Sequence, residues 1–323
     1  MSNLEPNPQE AICGGQTTAV AVAPTRDVLP GREVVIGTRG MVVNRTLPNR
    51  DRRMVGAWCF ADHFGPEDVA TGPGMRVPPH PHTGLQTVTW LIEGEVLHRD
   101  SLGNEQLIRP GQLNLMTAGA GISHSEESPQ HRSPVLHGVQ LWVALPEHDR
   151  HGEPGFEHHA RLPSLTESGA AITVFVGELD GAASPARRYS PLVGAEIILA
   201  PGADTTLPLR PDFEYAALTL AGTVEVDGNS LEPGPLLYLG SERRDLAVRA
   251  DGAGLALLLG GEPFDEQIVM WWNFIGRDHD EIVEVREAWM AGRGFGTVRG
   301  YDGDSLPAPP MPTSPLKPRG RQR

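Results

Sequence analysis

Residues 80–127 of the chain read HPHTGLQTVTWLIEGEVLHRDSLGNEQLIRPGQLNLMTAGAGISHSEE. The stretch opens with the pair His80 and His82 and closes with the pair His124 and Glu126. Side chains at positions i and i+2 of a strand project from the same face of a sheet, so each pair is expected to share one face. If two neighbouring strands bring the pairs together inside a barrel, three imidazole nitrogens and one carboxylate oxygen will surround one point.

This donor set predicts a site for a divalent transition metal. Imidazole and carboxylate ligands suit Fe(II), Mn(II), Co(II), Ni(II), Cu(II) and Zn(II), and such a site can leave positions open for water, dioxygen or substrate. A single H-x-H pair is also common in surface turns, but here an H-x-E pair follows a glycine-rich run that contains Gly119 and Gly121. Continued alternation along the chain would place Gln86, Val88 and Trp90 on the histidine face.

Short strands are predicted along most of the chain. It contains 38 glycines and 30 prolines in 323 residues, which is typical of many strands joined by tight turns and argues against long helices. One helix is predicted at Asp280–Ala291, with Asp278 or Asp280 as its N-cap and Gly292 after its end. The main predicted strands are Glu33–Ile36, Leu85–Ile92, Glu105–Ile108, Gly138–Leu145, Ile172–Val176, Ala195–Leu199, Tyr215–Leu220 and Leu255–Leu259.

A weak internal repeat predicts two domains of one architecture. In both halves a strand ends in a glycine turn, at Gly94 and at Gly222, and a Pro-Gly turn follows. The prediction is an all-β protein of two double-sheet barrels, with a short C-terminal helix and disordered termini. Aligning the repeats puts Pro208 and Arg210 where the first half has its histidines, so the second barrel is expected to lack metal ligands. The expected division is a disordered leader at 1–25, a first barrel at 26–150, a second barrel at 151–300 and a Pro-rich basic tail at 301–323.

The charge of the chain restricts its partners. Its net charge of −14 at pH 7 predicts an acidic surface that repels nucleic acids and anionic membranes. The tail at 301–323 carries the one basic run, and a solvated tail is preferred over one that docks on an acidic partner. No stretch approaches the roughly 18 apolar residues of a transmembrane helix. With two cysteines and no signal peptide, we expect a cytoplasmic monomer.

The chain resembles the pirin family of the cupin superfamily. The resemblance rests on residues 80–127, on AWCFADHFGP at Ala57–Pro66, on the region of Gln140 and Trp142, and on GEPFDEQIVMWWNFI at Gly261–Ile275. It covers roughly residues 30–295 and implies a bicupin fold, that is, two jelly-roll cupin barrels in one chain. The first barrel of this family binds a metal, usually non-haem iron.

Mapped onto the family's metal motif, His80, His82, His124 and Glu126 match its four ligands. The chain departs from many cupins and pirins at Gln86, where they carry a glutamate. That position is not one of the four ligands in pirins, so the resemblance still implies metal binding. A neutral amide cannot act as a base, so the surroundings of the metal are expected to differ.

The resemblance implies two alternative functions. The first is a quercetin 2,3-dioxygenase-like oxidoreductase, which would take a flavonol and dioxygen as substrates and use Glu126 as the base for the flavonol 3-hydroxyl proton. The second is a metal- or redox-responsive regulator that binds a transcription factor or a metabolic enzyme without catalysis. The same ligand set serves both functions, so the sequence does not separate them.

The other histidines are expected to lie outside the metal site. His98 is predicted to make a turn contact beside Arg99 and Asp100. His63 lies within the motif block and is the one candidate for a supporting role close to the ligands. The histidines predicted to be exposed, in the polar join between the two domains, are His148, His151, His158 and His159.

Overall fold

The computed structural model describes residues 26–36 and 41–322. The predicted leader at 1–25 lies outside the described residues. Within the described part, the chain forms 25 strands and one helix, which confirms the all-β class with one short C-terminal helix. The strands build two double-sheet barrels, each with one large and one small sheet, and a short hairpin follows them.

The first barrel consists of a seven-stranded sheet in the order β12-β9-β6-β11-β4-β3-β2 and a four-stranded sheet in the order β5-β10-β7-β8. Its neighbouring strands are antiparallel throughout. The strands of this half of the chain are β1 Asp27–Leu29, β2 Arg32–Ile36, β3 Met41–Leu47, β4 Trp58–Asp68, β5 Arg76–His82, β6 Leu85–Glu93, β7 Val96–Asp100, β8 Glu105–Ile108, β9 Leu113–Thr117, β10 Ile122–Glu127, β11 Val135–Ala144 and β12 Gly155–His159.

The second barrel repeats this architecture. Its large sheet has the order β1-β21-β18-β23-β16-β14-β13, with β15 paired to β14, and its small sheet has the order β17-β22-β19-β20. The remaining elements are β13 Ser164–Glu167, β14 Ala170–Leu179, β15 Ala182–Ala183, β16 Leu192–Leu199, β17 Ala203–Pro208, β18 Glu214–Ala221, β19 Val224–Val226, β20 Asn229–Leu231, β21 Leu236–Gly240, β22 Asp245–Ala250, β23 Gly254–Gly261, β24 Val269–Trp271, β25 Phe274–Gly276 and α1 His279–Met290.

Two strands cross the predicted domain limits of 26–150 and 151–300. The first strand, β1, pairs with β21 in the second barrel. Conversely, β12 lies after residue 150, the predicted end of the first barrel, but pairs with β9 in that barrel. Each barrel therefore completes its large sheet with a strand from outside its predicted range, because sheet edges are favourable pairing surfaces wherever the chain passes them. The division into two domains remains our proposal, with these two strands reassigned.

The large sheets of the two barrels pack against each other through one continuous apolar core. Trp90 on β6 donates from Nε1 to Glu196 of the second barrel at 2.9 Å, and its ring stacks on Phe175 at 5.0 Å. On the same face of β6, Gln86 donates to the carbonyl of Arg187 at 3.1 Å. This face of β6 is therefore directed at the second domain.

The prediction that Gln86, Val88 and Trp90 share the histidine face is wrong. The chain turns between β5 and β6, and Gly84 in this turn has a φ of +69°. A Cβ atom at Gly84 would lie 2.3 Å from the carbonyl oxygen of Ile275, so the turn requires glycine. The turn breaks the alternation, and the opposite face of β6 looks into the first barrel.

The helix α1 runs from His279 to Met290, one residue earlier at each end than predicted. The side chain of Asp278 caps its start by accepting a hydrogen bond from the backbone of Glu281. Gly292 follows the end with a φ of +66°, as expected for the residue after a helix. No helix in the described part of the chain has both the length and the apolar character needed to cross a bilayer.

The C-terminal segment, residues 301–322, is extended as its prolines predict, but it is not a solvated tail. The backbone of Leu306 donates to Pro79 at 2.8 Å, and Arg319 and Ile268 exchange two backbone hydrogen bonds of 2.8 Å. Leu316 is only 4 % exposed. Proline prevents helix formation, but an extended chain with spaced apolar residues can still pack along an existing surface, and the prediction of a solvated tail is therefore wrong.

An ion pair attaches the end of this segment to the second barrel. Arg321 forms an ion pair of 3.2 Å with Glu214, a second-barrel carboxylate that is 1 % exposed. Glu214 also accepts from the backbone of Gly56 at 2.7 Å and from the Tyr238 hydroxyl at 2.7 Å. Arg321 of this basic segment therefore has its acidic partner, Glu214, within the same chain.

Truncation of Leu316 tests whether the C-terminal segment is packed. Leu316→Ala is expected to lower the free energy of unfolding by about 2–3 kcal/mol, because it removes a buried side chain and leaves a cavity. Leu102→Ala is the matched control, since Leu102 is 48 % exposed and should change stability by less than about 0.5 kcal/mol. Denaturant unfolding measures both variants. Equal stabilities would contradict the packed arrangement.

Candidate metal centre

Adjacent strands of the four-stranded sheet bring the two predicted pairs of side chains together. β5 and β10 are antiparallel neighbours, and their register sets His124 opposite His80. The register shifts between His124 and Glu126, and on the other side of β10 Glu126 lies opposite His98 of β7. The side chains of His80, His82, His124 and Glu126 are all no more than 1 % exposed.

The imidazole rings converge inside the barrel. The Nε2 atoms of His82 and His124 are 3.1 Å apart, and the ring centroids of His80 and His124 are 4.3 Å apart. One nitrogen from each of these three histidines lies within 4.8 Å of the other two. A second group with the same spacing consists of His98, His124 and Glu126.

Burial keeps these imidazoles neutral. Loss of hydration lowers the pKa of His82 to about 3 and holds the pKa of His80 and of His124 well below the usual value for histidine. The neighbouring imidazoles act in the same direction on His80 and His124, because a second positive charge in the cluster would be repelled. Neutral imidazole is the form that binds metals.

Two backbone carbonyls fix the tautomers of the β5 histidines. The Nδ1 atom of His80 lies 2.8 Å from the carbonyl oxygen of Pro78, and the Nδ1 atom of His82 lies 3.0 Å from that of Asn273. A carbonyl only accepts hydrogen bonds, so each Nδ1 carries the proton and each Nε2 has a free lone pair. Asn273 lies between β24 and β25, so a residue beyond the second barrel orients a first-barrel histidine.

A chain of two hydrogen bonds fixes His124 in the same way. His98 lies between His124 and Asp100, with an Nδ1-to-Nδ1 distance of 3.3 Å to His124 and an Nε2-to-Oδ2 distance of 3.3 Å to Asp100. The carboxylate accepts from Nε2 of His98, so Nδ1 of His98 is the acceptor for the Nδ1 proton of His124. All three cluster histidines therefore direct Nε2 lone pairs towards one another.

This arrangement fits a metal ion. With both Nδ1 atoms protonated, the 3.1 Å contact between His82 and His124 sets two lone pairs face to face, which is unfavourable without a cation between them. The Nε2 atom of His80 is buried without a hydrogen-bond partner in the described part of the chain. Three such nitrogens and a neighbouring carboxylate are a donor set for a divalent transition metal.

His98 does not lie where the sequence predicted. It was expected in a turn, but it lies within β7, is 3 % exposed and stacks on Phe156 at 4.5 Å. Asp100 is held in turn by the backbone of Leu102 and Asn104, each 3.0 Å from its Oδ1. Burial alone would raise the pKa of Asp100, but the hydrogen bonds from His98 and Asn104 hold it below its usual value. The i, i+2 spacing of His98 and Asp100, which matches that of the two predicted ligand pairs, was the sequence signal that could have found it.

The seven-stranded sheet supplies the opposite wall of the site. The single proton of the Thr89 hydroxyl is shared between Oε1 of Gln140 at 3.1 Å and Oε1 of Glu126 at 3.3 Å, and this contact helps to orient the Glu126 carboxylate. The Trp142 ring lies 5.1 Å from the ring of His82 and stacks on Phe60 at 4.0 Å. These fully buried rings exclude water from one side of the imidazole cluster.

The glycine-rich run before β10 lets a neighbouring loop approach closely. Gly119 has a φ of +51°, and a Cβ atom there would lie 2.1 Å from the carbonyl oxygen of Gly152. The loop that contains Gly152 therefore packs directly on the segment leading into His124.

The other histidines lie outside the cluster. Nε2 of His63 is 2.8 Å from Nε2 of His137, and burial lowers the pKa of His63 to about 4. His63 therefore does not support the predicted ligands directly. His158, predicted to be exposed, is partly buried, with Nδ1 2.7 Å from Oδ1 of Asn114. His159, also partly buried, contacts Glu157 at 2.9 Å.

Comparison with known proteins supports the fold. Residues 40–143 match the family model described as Pirin, and residues 194–296 match the one described as Pirin C-terminal cupin domain. The protein named "Putative quercetin 2,3-dioxygenase PA1205" of Pseudomonas aeruginosa is 49 % identical over 275 residues, which cover 84 % of this chain and 87 % of that protein. The Pirin-like protein of Caulobacter vibrioides is 40 % identical over 260 residues, covering 78 % of this chain and 88 % of its own.

A solved structure is similar across nearly the whole chain. The crystal structure of quercetin 2,3-dioxygenase from Acinetobacter baumannii superposes with a TM-score of 0.86 and 44 % sequence identity, covering 90 % of this chain and 96 % of its own. The predicted bicupin architecture is thereby confirmed. The two matched family models, the relatives and this structure together show that the chain belongs to the pirin family.

Proposed function

We propose that the first barrel binds one divalent transition metal through His80, His82, His124 and Glu126. The observation that carries this proposal is the convergence of three Nε2 lone pairs whose tautomers are fixed from outside the cluster. Three neutral imidazoles and one carboxylate would leave a net charge of +1 on a divalent ion. We propose Fe(II) as the metal, while Mn(II), Co(II), Ni(II), Cu(II) and Zn(II) suit the same donors.

Removal of one imidazole tests the ligand assignment. Protein purified without oxygen should contain about one metal ion per chain, and His82→Ala should lose it because the remaining donors hold the ion weakly. His148→Ala is the control, since the side chain of His148 is 77 % exposed. Elemental analysis measures the metal, and equal content in wild type and His82→Ala would rule out His82 as a ligand.

His98 gives a second test of the same site. His98→Leu keeps all four proposed ligands but removes the group that fixes the tautomer of His124. Loss of such a partner typically weakens metal affinity by about 10- to 100-fold. A competition titration with a chelator measures the affinity, and an unchanged value would show that His98 has no orienting role.

We propose further that the protein is a quercetin 2,3-dioxygenase-like oxidoreductase. Support comes from the similarity to the proteins of that name from Pseudomonas aeruginosa and Acinetobacter baumannii. The reaction converts a flavonol and dioxygen into a ring-opened ester and carbon monoxide. A bound iron ion would supply a Lewis acid with open positions for an anionic, chelating substrate.

The side chains of the site have separate tasks in this proposal. The carboxylate of Glu126 takes the proton of the flavonol 3-hydroxyl, and the Thr89 hydroxyl holds it in place. The rings of Trp142 and Phe60 line the site and keep water from the deprotonated substrate. Removal of the proton prepares the electron-rich enolate that reacts with dioxygen.

Turnover of quercetin tests this activity. The iron-loaded protein in air should consume quercetin, seen as loss of its visible absorbance together with release of carbon monoxide. Glu126→Gln should lower the rate by at least about 100-fold, because it removes the base. Metal-free wild type and His82→Ala serve as controls. Full iron content without turnover would contradict the enzymatic proposal and favour the regulatory alternative.

A further inference from the structure

One row of polar side chains crosses the wall that faces the metal cluster. Asn114 on β9 is the cross-strand partner of Thr89 on β6, and Thr89 is the partner of Gln140 on β11. Cross-strand partners share a face, and Thr89 contacts Glu126, so the row faces the cluster. Trp142, two residues after Gln140, lies on the same face.

Three N–H donors on this wall are buried and have no hydrogen-bond partner in the described part of the chain. They are Nε2 of Gln140, Nδ2 of Asn114 and Nε1 of Trp142. Gln140 and Trp142 are fully buried and Asn114 is 3 % exposed. The oxygens of both amides are engaged: Gln140 Oε1 accepts from Thr89 at 3.1 Å, and Asn114 Oδ1 lies 2.7 Å from Nδ1 of His158.

On the opposite face of the same sheet, the corresponding amide and indole donors do have hydrogen-bond partners. There Gln86 donates to Thr117 at 3.0 Å and to the carbonyl of Arg187 at 3.1 Å, and Trp90 donates to Glu196 at 2.9 Å. The same two residue types are thus satisfied where the sheet packs on the second domain. Buried polar groups nearly always have partners in native proteins, so three unpartnered N–H donors grouped on one wall that faces the metal cluster point to a ligand there.

The wall offers donors and not acceptors. Two carboxylates lie beside this row: Glu126, which contacts Thr89 and is a proposed metal ligand, and Asp62, which is the cross-strand partner of Gln140. The two oxygens of Asp62 are both held by Arg45, at 2.7 Å and 2.8 Å. Among the described residues, the row itself contains no carboxylate for a cationic substrate, whereas oxygen acceptors of a substrate would find three N–H groups there.

We propose that Gln140, Asn114 and Trp142 determine specificity by donating hydrogen bonds to oxygen atoms of the substrate. The proposal rests on the proposed function and narrows its substrate class. Gln140 and Asn114 lie two strands apart, about 10 Å, on either side of Thr89. We therefore expect the protein to prefer a flat aromatic substrate with acceptor oxygens on more than one edge. A substrate whose only oxygens are the two that chelate the metal should bind less tightly.

Binding without turnover tests this proposal. Zinc-loaded protein is titrated with quercetin and with 3-hydroxyflavone, which keeps the chelating oxygens but lacks the other ring hydroxyls, and tryptophan fluorescence is followed. Gln140→Met and Asn114→Leu should each weaken quercetin binding by about tenfold, with a smaller loss for 3-hydroxyflavone. Gln86→Met is the matched control and should bind both ligands like the wild type.

The outcomes separate the two proposals. If wild type binds quercetin and both variants bind it equally tightly, the specificity role of the inner wall is overturned while the proposed function stands. If zinc-loaded wild type binds neither flavonol, the proposed function itself fails, and this inference fails with it. Zinc content is measured in every variant, so that loss of metal is not mistaken for loss of substrate binding.

Discussion

The fixed tautomers of three buried histidines are the constraint on which the site depends. Each imidazole of the cluster donates its Nδ1 proton outwards, to Pro78, to Asn273 or to His98, and keeps an Nε2 lone pair for the centre of the barrel. Lone pairs that face each other at 3.1 Å repel, so the fold holds an arrangement that a cation would relieve. The pairing of β5 with β10 creates this arrangement, and the bidentate Arg45–Asp62 pair occupies the barrel beside it.

The first barrel does not complete the site alone. The segment after the second barrel supplies the carbonyl of Asn273, and a backbone hydrogen bond from Ile275 to Thr83 fastens this segment beside His82. On the other side, Ser123 donates to the carbonyl of Phe295 next to His124. The second half of the chain thus contributes orientation, while the proposed ligands all come from the first half.

The sequence predicted the local features well, because each has a short-range cause. The shared face of the H-x-H and H-x-E pairs follows from strand geometry, the start of helix α1 from Asp278 and its end from Gly292. The face of β6 was predicted wrongly because alternation cannot be continued through the turn at Gly84. The packed C-terminal segment was missed because it depends on contacts between parts of the chain that are distant in sequence. The role of His98 was missed because it depends on the pairing of β7 with β10, which brings His98 beside His124.

The position of the metal tests the central claim most directly. Crystals of the iron-loaded protein, with an anomalous difference map recorded at the iron absorption edge, locate the ion independently of any assay. We predict one strong peak in the first barrel, within bonding distance of the Nε2 atoms of His80, His82 and His124 and of the carboxylate of Glu126. A peak elsewhere, such as between His63 and His137, or no peak in protein that contains iron by elemental analysis, would contradict the account.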